Sequence, residues 1–287
     1  MPEMPEVESL RRFLTERCVG HAIARIDLAA FSALKTYTPP PDALYGLEIE
    51  SVSRHGKFLD IAAQGVHLIF HLARAGWLRW SDELPSTPPR GGKGPLTLRV
   101  VLDDGSGFDL TEAGTQRKLA VHVVTDPQAV AMIATLGPDP MADDFTPDRL
   151  HHLLAAAGRS QLKGVLRDQR RIAGIGNAYS DEILHRARLS PFKPADGLSD
   201  EEFDRLYTGM RAELTDAIAR SAGLAAKDLK GEKKSSLRVH GKTGAPCPVC
   251  GDSVAEVSFA DSSLQYCPTC QTGGKKLADR RMSRLLK

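Results

Sequence analysis

No run in the 287-residue chain approaches about 18 consecutive apolar residues, which excludes a membrane-spanning helix. The start, Met-Pro-Glu-Met-Pro-Glu, lacks the basic segment and apolar stretch of a secretory signal, so a cytoplasmic chain is expected. Net charge is scarce too. Lys and Arg number 38 against 36 Asp and Glu, a formal +2, so bulk charge announces no polyanionic partner. Internal repeats are absent. Cysteines are few, five in all. Cys18 lies in an apolar helical pattern and reads as a buried core thiol. The other four, Cys247, Cys250, Cys267 and Cys270, form two C-x-x-C pairs. Without a secretory signal, such pairs argue for metal rather than disulfides. What remains is an ordinary globular mixture, long enough for two domains that each bury a core.

Charge is unevenly distributed. From Lys227 to Lys287 there are 12 Lys and Arg against 6 Asp and Glu, so this segment carries +6 and the rest −4. A basic C-terminal module fits nucleic-acid binding, and it equally fits a solvated basic tail.

Residues 6–18 read as a helix, with Val7, Leu10, Leu14 and Cys18 on one face. Glu6 and Glu8 lie in its first turn, where carboxylates suit the helix dipole. From about 21 to 125 short β-type runs take over, at 22–28, 58–62, 66–72, 96–102 and 119–124, separated by Pro- and Gly-rich turns. They predict an antiparallel sandwich or barrel. Leu136-Gly137-Pro138-Asp139-Pro140 is a natural boundary. Helical periodicity follows at 147–157, 160–169, 177–187 and 199–220, then a basic polar stretch at 227–236. The expected domains are 1–135, 136–236 and 237–287. The fold class is α+β, with an N-terminal helix and β-sandwich, a helical domain and a four-cysteine β-hairpin.

Three motifs carry chemistry. Cys247-Pro-Val-Cys250, sixteen residues, then Cys267-Pro-Thr-Cys270 suits a closed tetrahedral Zn²⁺ site on a β-hairpin. Such an ion is structural, and its binding would supply much of the hairpin's folding energy. The second motif is Gly174-Ile175-Gly176-Asn177 between two helical patterns. Its glycines allow close backbone approach, and Asn177 is placed to cap the next helix. That helix N-terminus suits a phosphate, and the motif also fits a plain helical hairpin. The third is the N-terminus. Removal of Met1 would leave the secondary amine of Pro2 as the terminus, partly neutral at pH 7 and able to attack a sugar C1′. Glu3 would stand beside it as a proton donor or acceptor. A Pro-rich start followed by helix-capping acids is the plainer alternative.

Together these residues resemble the formamidopyrimidine-DNA glycosylase and endonuclease VIII family of base-excision enzymes. The resemblance rests on Pro2–Glu8, on Lys57 within Arg54-His55-Gly56-Lys57-Phe58-Leu59 and on the 136–140 segment. It rests also on the helix–two-turn–helix signature from Asp168 through Asn177 to Leu184 and on the four cysteines. It covers nearly the whole chain in order. It implies Pro2 as the nucleophile at C1′ of a flipped nucleotide, Glu3 as its proton-transfer acid and Glu6 as a carboxylate shaping the lesion pocket. Lys57 and Asn177 become phosphate ligands, with Gly174 and Gly176 in the DNA-binding turn. The cofactor is one structural Zn²⁺. The partner is duplex DNA bearing an oxidised base or abasic site, acted on by a monomer in the bacterial cytoplasm.

Four departures bear on specificity. Arg74 occupies the position of the purine-specific branch's void-filling Met. Thr111-Glu112-Ala113-Gly114 stands where that branch has Arg-Arg-Phe-Gly, which would put an acid near DNA. Ser262 replaces the finger's Arg. Segment 222–239 is shorter than that branch's lesion-capping loop. The expectation is therefore an endonuclease VIII-like glycosylase and abasic-site lyase for oxidised pyrimidines and formamidopyrimidines. Arg74 would replace the wedge, and Lys275, Lys276, Arg280 and Arg281 the finger cation. The alternatives are an abasic-site lyase with little glycosylase activity and a non-catalytic damage binder.

Overall fold

Helix α1, Met4–Cys18, starts two residues earlier than the apolar period suggests, because Glu3 and Glu6 form a reciprocal capping box. The Glu3 amide donates to Glu6 Oε2 at 2.8 Å. Val7, Leu10, Leu14 and Cys18 are all buried as their spacing requires, and burial pushes the Cys18 thiol up to about 12.

The computed structural model describes residues 2–89, 94–114, 116–259 and 262–277. Arg280 and Arg281 lie outside them. Two antiparallel four-stranded sheets follow α1. One has the order β1 (Ile23–Leu28), β6 (Leu96–Leu102), β7 (Gly107–Glu112), β5 (Gly76–Ser81). The other has the order β2 (Ile49–His55), β3 (Phe58–Ala63), β4 (Val66–His71), β8 (Ala120–Val124). Their alternating inward residues, among them Leu98, Val100 and Phe108 facing Leu59, Ile61 and Phe70, share one core with α1. The β-sandwich expected from the sequence is thus present. The outer face of the second sheet carries a smaller cluster, with Phe58, Ile69 and Val124 under Val130 and with Ile133 of α2 (Ala131–Ala134).

The chain forms two compact units, Met1–Leu136 with Ser221–Lys230, and Gly137–Arg220 with Gly231–Lys287. In the first unit, Ser221–Lys230 is a strap. Ala226 and Leu229 enter the sandwich core, Trp77 Nε1 donates to the Ala226 carbonyl at 2.9 Å, and Lys230 Nζ stands 4.4 Å from the Trp77 ring centre. The second unit contains α3 (Pro147–Ala157), α4 (Leu162–Arg167), α5 (Asn177–Arg186), all but the last residue of the long α6 (Asp200–Ser221), and α7 (Leu229–Ser236) from Gly231 onward. The basic stretch at 227–236 is therefore largely helical. A hairpin of β9 (Ala255–Ser258) and β10 (Ser263–Tyr266) and the short α8 (Pro268–Thr272) complete it. No helix among the described residues is long and apolar enough to cross a membrane.

Candidate functional site

Pro2 and Glu3 are both buried, Glu3 only 2% exposed, and Glu6 is buried beside them. The capping box therefore fixes the backbone that follows Pro2. Lys57 sits in the tight β2–β3 turn, where Gly56 has φ +58°. Arg54 ties this turn to α1. Its Nε bonds Glu8 Oε2 at 3.1 Å and its other face donates to the Gly56 carbonyl at 3.1 Å. Glu8 also holds Arg11 and Arg12; burial raises its carboxyl, but the Arg11 and Arg54 guanidinium groups outweigh this and keep it low. Glu8 lies five residues beyond Glu3, so the clamp ties this turn to α1 about 7.5 Å along the axis from Glu3.

The sequence reading missed His71, on β4. Burial, then the nearby charges of Lys57 and His122, push its imidazole down to about 4. The unfolded chain then binds one more proton than the folded chain between pH 6.5 and about 4, so stability falls as pH drops through that window. Replacing His71 by Asn is expected to remove about one proton from this dependence, read as a flatter plot of Tm against pH. An unchanged plot would show that other groups govern acid unfolding.

Arg74 is exposed at the tip of the β4–β5 turn. The turn is closed by the Gly76 amide on the Leu72 carbonyl at 2.9 Å, and a Cβ at Gly76 would lie 2.1 Å from that oxygen. Ala73, with φ +51°, is strained, since a left-handed conformation disfavours a Cβ by about 1–2 kcal/mol. Ala73→Gly is expected to stabilise the chain by about 1 kcal/mol, measured by urea denaturation. Loss of stability would show that the Ala73 methyl, 7% exposed, contributes more by packing.

Glu112 corrects an expectation. Its carboxylate does not present an acid to DNA but is 2% exposed and accepts from the Lys118 and Leu119 amides at 2.9–3.0 Å. A short loop leaves those amides without strand partners, and Glu112 satisfies them. Thr111 is likewise inside, on β7, so only Ala113 and Gly114 of that tetrapeptide are exposed.

In the second unit, Gln169 laces the glycine turn. Its Oε1 accepts from the Gly174 amide at 2.9 Å, and its Nε2 donates to the Ile175 carbonyl at 2.7 Å. Gly174, at φ +89°, and Gly176 are buried. Gly176, not Asn177, is the N-cap of α5, and Asn177 is its first helical residue. The Asn177 amide instead donates to the Ser263 carbonyl at 2.8 Å, tying the helix start to the hairpin. Farther along α5, Asp181 accepts from buried Lys163, from His240 Nδ1 and from the Gln265 amide. Glu182 accepts from the amides of Arg238, Val239 and His240 at 2.8–2.9 Å. His185 Nε2 lies 3.2 Å from Cys247 Sγ. These α5 contacts were not legible, because each joins residues roughly 20–90 positions apart.

Cys247, Cys250, Cys267 and Cys270 bring their sulfurs within 4.8 Å of one another. The Cys247–Cys270 and Cys250–Cys267 separations are 3.9 and 3.4 Å. A tetrahedron of about 2.3 Å Zn–S bonds needs sulfurs about 3.8 Å apart, so the four fit one structural zinc ion. Lys275 and Lys276 are exposed beyond α8, at the cysteine end of the finger. Asn177 meets the opposite end of β10, about 10 Å away by strand rise.

Residues 1–120 match the formamidopyrimidine-DNA glycosylase N-terminal domain, 136–228 the formamidopyrimidine-DNA glycosylase H2TH domain, and 244–273 the zinc finger found in FPG and IleRS. The formamidopyrimidine-DNA glycosylase of Symbiobacterium thermophilum is 34% identical over 98% of this chain and 93% of its own. An uncharacterized formamidopyrimidine-DNA glycosylase-like protein of Mycobacterium tuberculosis is 61% identical over 53% of this chain and 94% of its own. Among solved structures, Lactococcus lactis Fpg bound to DNA containing an AP site superposes with TM-score 0.81 at 27% identity, covering 94% of this chain and 99% of that one. Thermus thermophilus MutM (Fpg) gives 0.79 at 30%, covering 96% and 100%. Three successive domain matches and near-full-length identity agree with the geometry, and the chain belongs to the formamidopyrimidine-DNA glycosylase family of DNA-repair glycosylases.

Proposed function

We propose that this glycosylase is bifunctional, releasing an oxidised base and then cleaving the abasic strand through the amine of Pro2. The observation that carries the reading is the buried start of α1, where Glu3 is locked by Glu6 directly after Pro2. With Met1 removed, the Pro2 nitrogen attacks C1′ of a flipped nucleotide, and the base leaves with a proton. Sugar opening, with protonation of O4′ assisted by Glu3, gives an iminium at C1′. Loss of a C2′ proton then expels the 3′ phosphate, and a second elimination expels the 5′ phosphate. Water hydrolyses the remaining imine and restores the amine. Glu6 orders the pocket edge through Glu3. Lys57, Asn177 and the glycine turn engage phosphates of the bent strand, and Lys275 and Lys276 reach phosphate from the cysteine end.

Oxidised pyrimidines, formamidopyrimidines and abasic sites are the preferred substrates in this reading. Arg74 supports it, because a guanidinium can enter the void and hydrogen-bond the orphaned base. Arg74→Ala is expected to weaken binding to a lesion duplex at least about tenfold more than to undamaged duplex. Equal weakening of both would make Arg74 a phosphate contact only.

The deciding experiment is borohydride trapping on a duplex with one abasic site, followed by peptide mass spectrometry. An adduct on Pro2, with Met1 absent, is the expected result. Strand cleavage with an adduct elsewhere, or none, overturns the proline mechanism. A free-base release assay on oxidised-pyrimidine duplex then separates a glycosylase from a lyase acting only on abasic sites.

A further inference from the structure

We propose that His185 of α5 is a hydrogen-bond donor to the zinc-bound sulfur of Cys247, and that it links metal retention to the helix that begins at Asn177. The imidazole is 2% exposed, with Nε2 3.2 Å from Cys247 Sγ. Its other nitrogen, Nδ1, is buried and has no partner among the described residues. A metal-bound thiolate has lone pairs and no proton to give, so the shared proton belongs to the ring. The orphaned Nδ1 then presents only a lone pair. The opposite tautomer would set the Nε2 lone pair against the sulfur and bury an N–H with no acceptor, which is the costlier defect. The surroundings therefore select the Nε2–H form.

Four thiolates around Zn²⁺ leave a net −2, and an N–H donor disperses part of it. Among the described residues, His185 is the side chain that makes this contact from α5. Backbone amides of the finger also serve the sulfurs, Cys270 donating to Cys267 Sγ at 3.5 Å and Asp252 to Cys250. Partners of this kind typically change metal affinity about 10–100-fold. The same helix holds the finger through Glu182 and Asp181, which reach residues 238–240 and Gln265 without touching sulfur. His185 thus senses the metal, while the acids sense only the fold of the strand.

The test uses the zinc-loaded full chain, a competing chelator and a chromogenic zinc indicator. His185→Leu is expected to release zinc at least about tenfold faster than the native chain, and His185→Gln, whose amide keeps an N–H near the same place, to recover most of the difference. Release from His185→Leu at the native rate, in a chain with native circular dichroism, overturns the proposal. So does a Gln variant no better than Leu, which would make the effect one of packing. If His185→Leu fails to fold, nitrogen NMR of the native imidazole decides: a proton on Nε2 supports the bond, and a proton on Nδ1 alone refutes it.

Discussion

Replacing Glu3 by glutamine is expected to slow base release by about 10²–10⁴-fold, the range of a lost general acid, with little change in stability. The two effects separate because, in the proposed mechanism, Glu3 has two jobs. Its backbone and side chain close the capping box with Glu6, and a glutamine oxygen can still accept from the Glu6 amide. Its proton is what glutamine cannot supply. Melting temperature should therefore move by no more than a few degrees, while single-turnover release of an oxidised pyrimidine collapses. Trapping on a pre-formed abasic site should survive better, because the amine proposed at Pro2 is unchanged. Base release within about threefold of native would remove Glu3 from the proton-transfer role.

Removing the metal should have the second large effect. Chelation, or Cys267→Ser, is expected to unfold the finger and lower lesion-duplex affinity at least about a hundredfold. Structural zinc contributes an apparent ~10–16 kcal/mol in isolated zinc-finger peptides, far beyond what this hairpin's apolar contacts could replace. Among the described residues, Val239 and Val254 pack around the cysteines, and the hairpin adds the small cluster of Val257, Leu264 and Tyr266. Without the ion, the Asn177–Ser263 and Asp181–Gln265 bonds lose their far partners, and the disturbance reaches the start of α5. Hydrogen exchange should show β9 and β10 deprotected while the β-sandwich stays protected. A finger that keeps its protection in chelator would contradict this account of its stability.

What the sequence disclosed, and what it hid, follows from contact range. The buried stripe of α1 and the two C-x-x-C turns are local patterns, and the fold uses them as their spacing requires. The α3 boundaries, Pro147–Ala157, also follow from a local Pro start and Gly stop. Glu112 was misread because a lone acid at a strand end carries no mark of the loop amides it will satisfy. Asn177 was misread by one position, since glycine can end an extended segment as well as asparagine can. The Arg54–Glu8 clamp, the His71–Lys57 neighbourhood and the His185–sulfur contact depend on pairings that periodicity does not record.

The strap at Ser221–Lys230 has a consequence for how the protein is made. Ala226 and Leu229 complete the core of the first unit, yet they are synthesised after most of the second. On the ribosome the β-sandwich must wait, with its Trp77 side open, while α3 to α6 emerge. Translation normally favours amino-terminal domains folding first. Here the late strap keeps the interior of the amino-terminal unit open until residue 230 has been made. A fragment ending at Leu136 is thus a chain with a missing wall, prone to self-association, and a peptide spanning the strap should bind to it in trans.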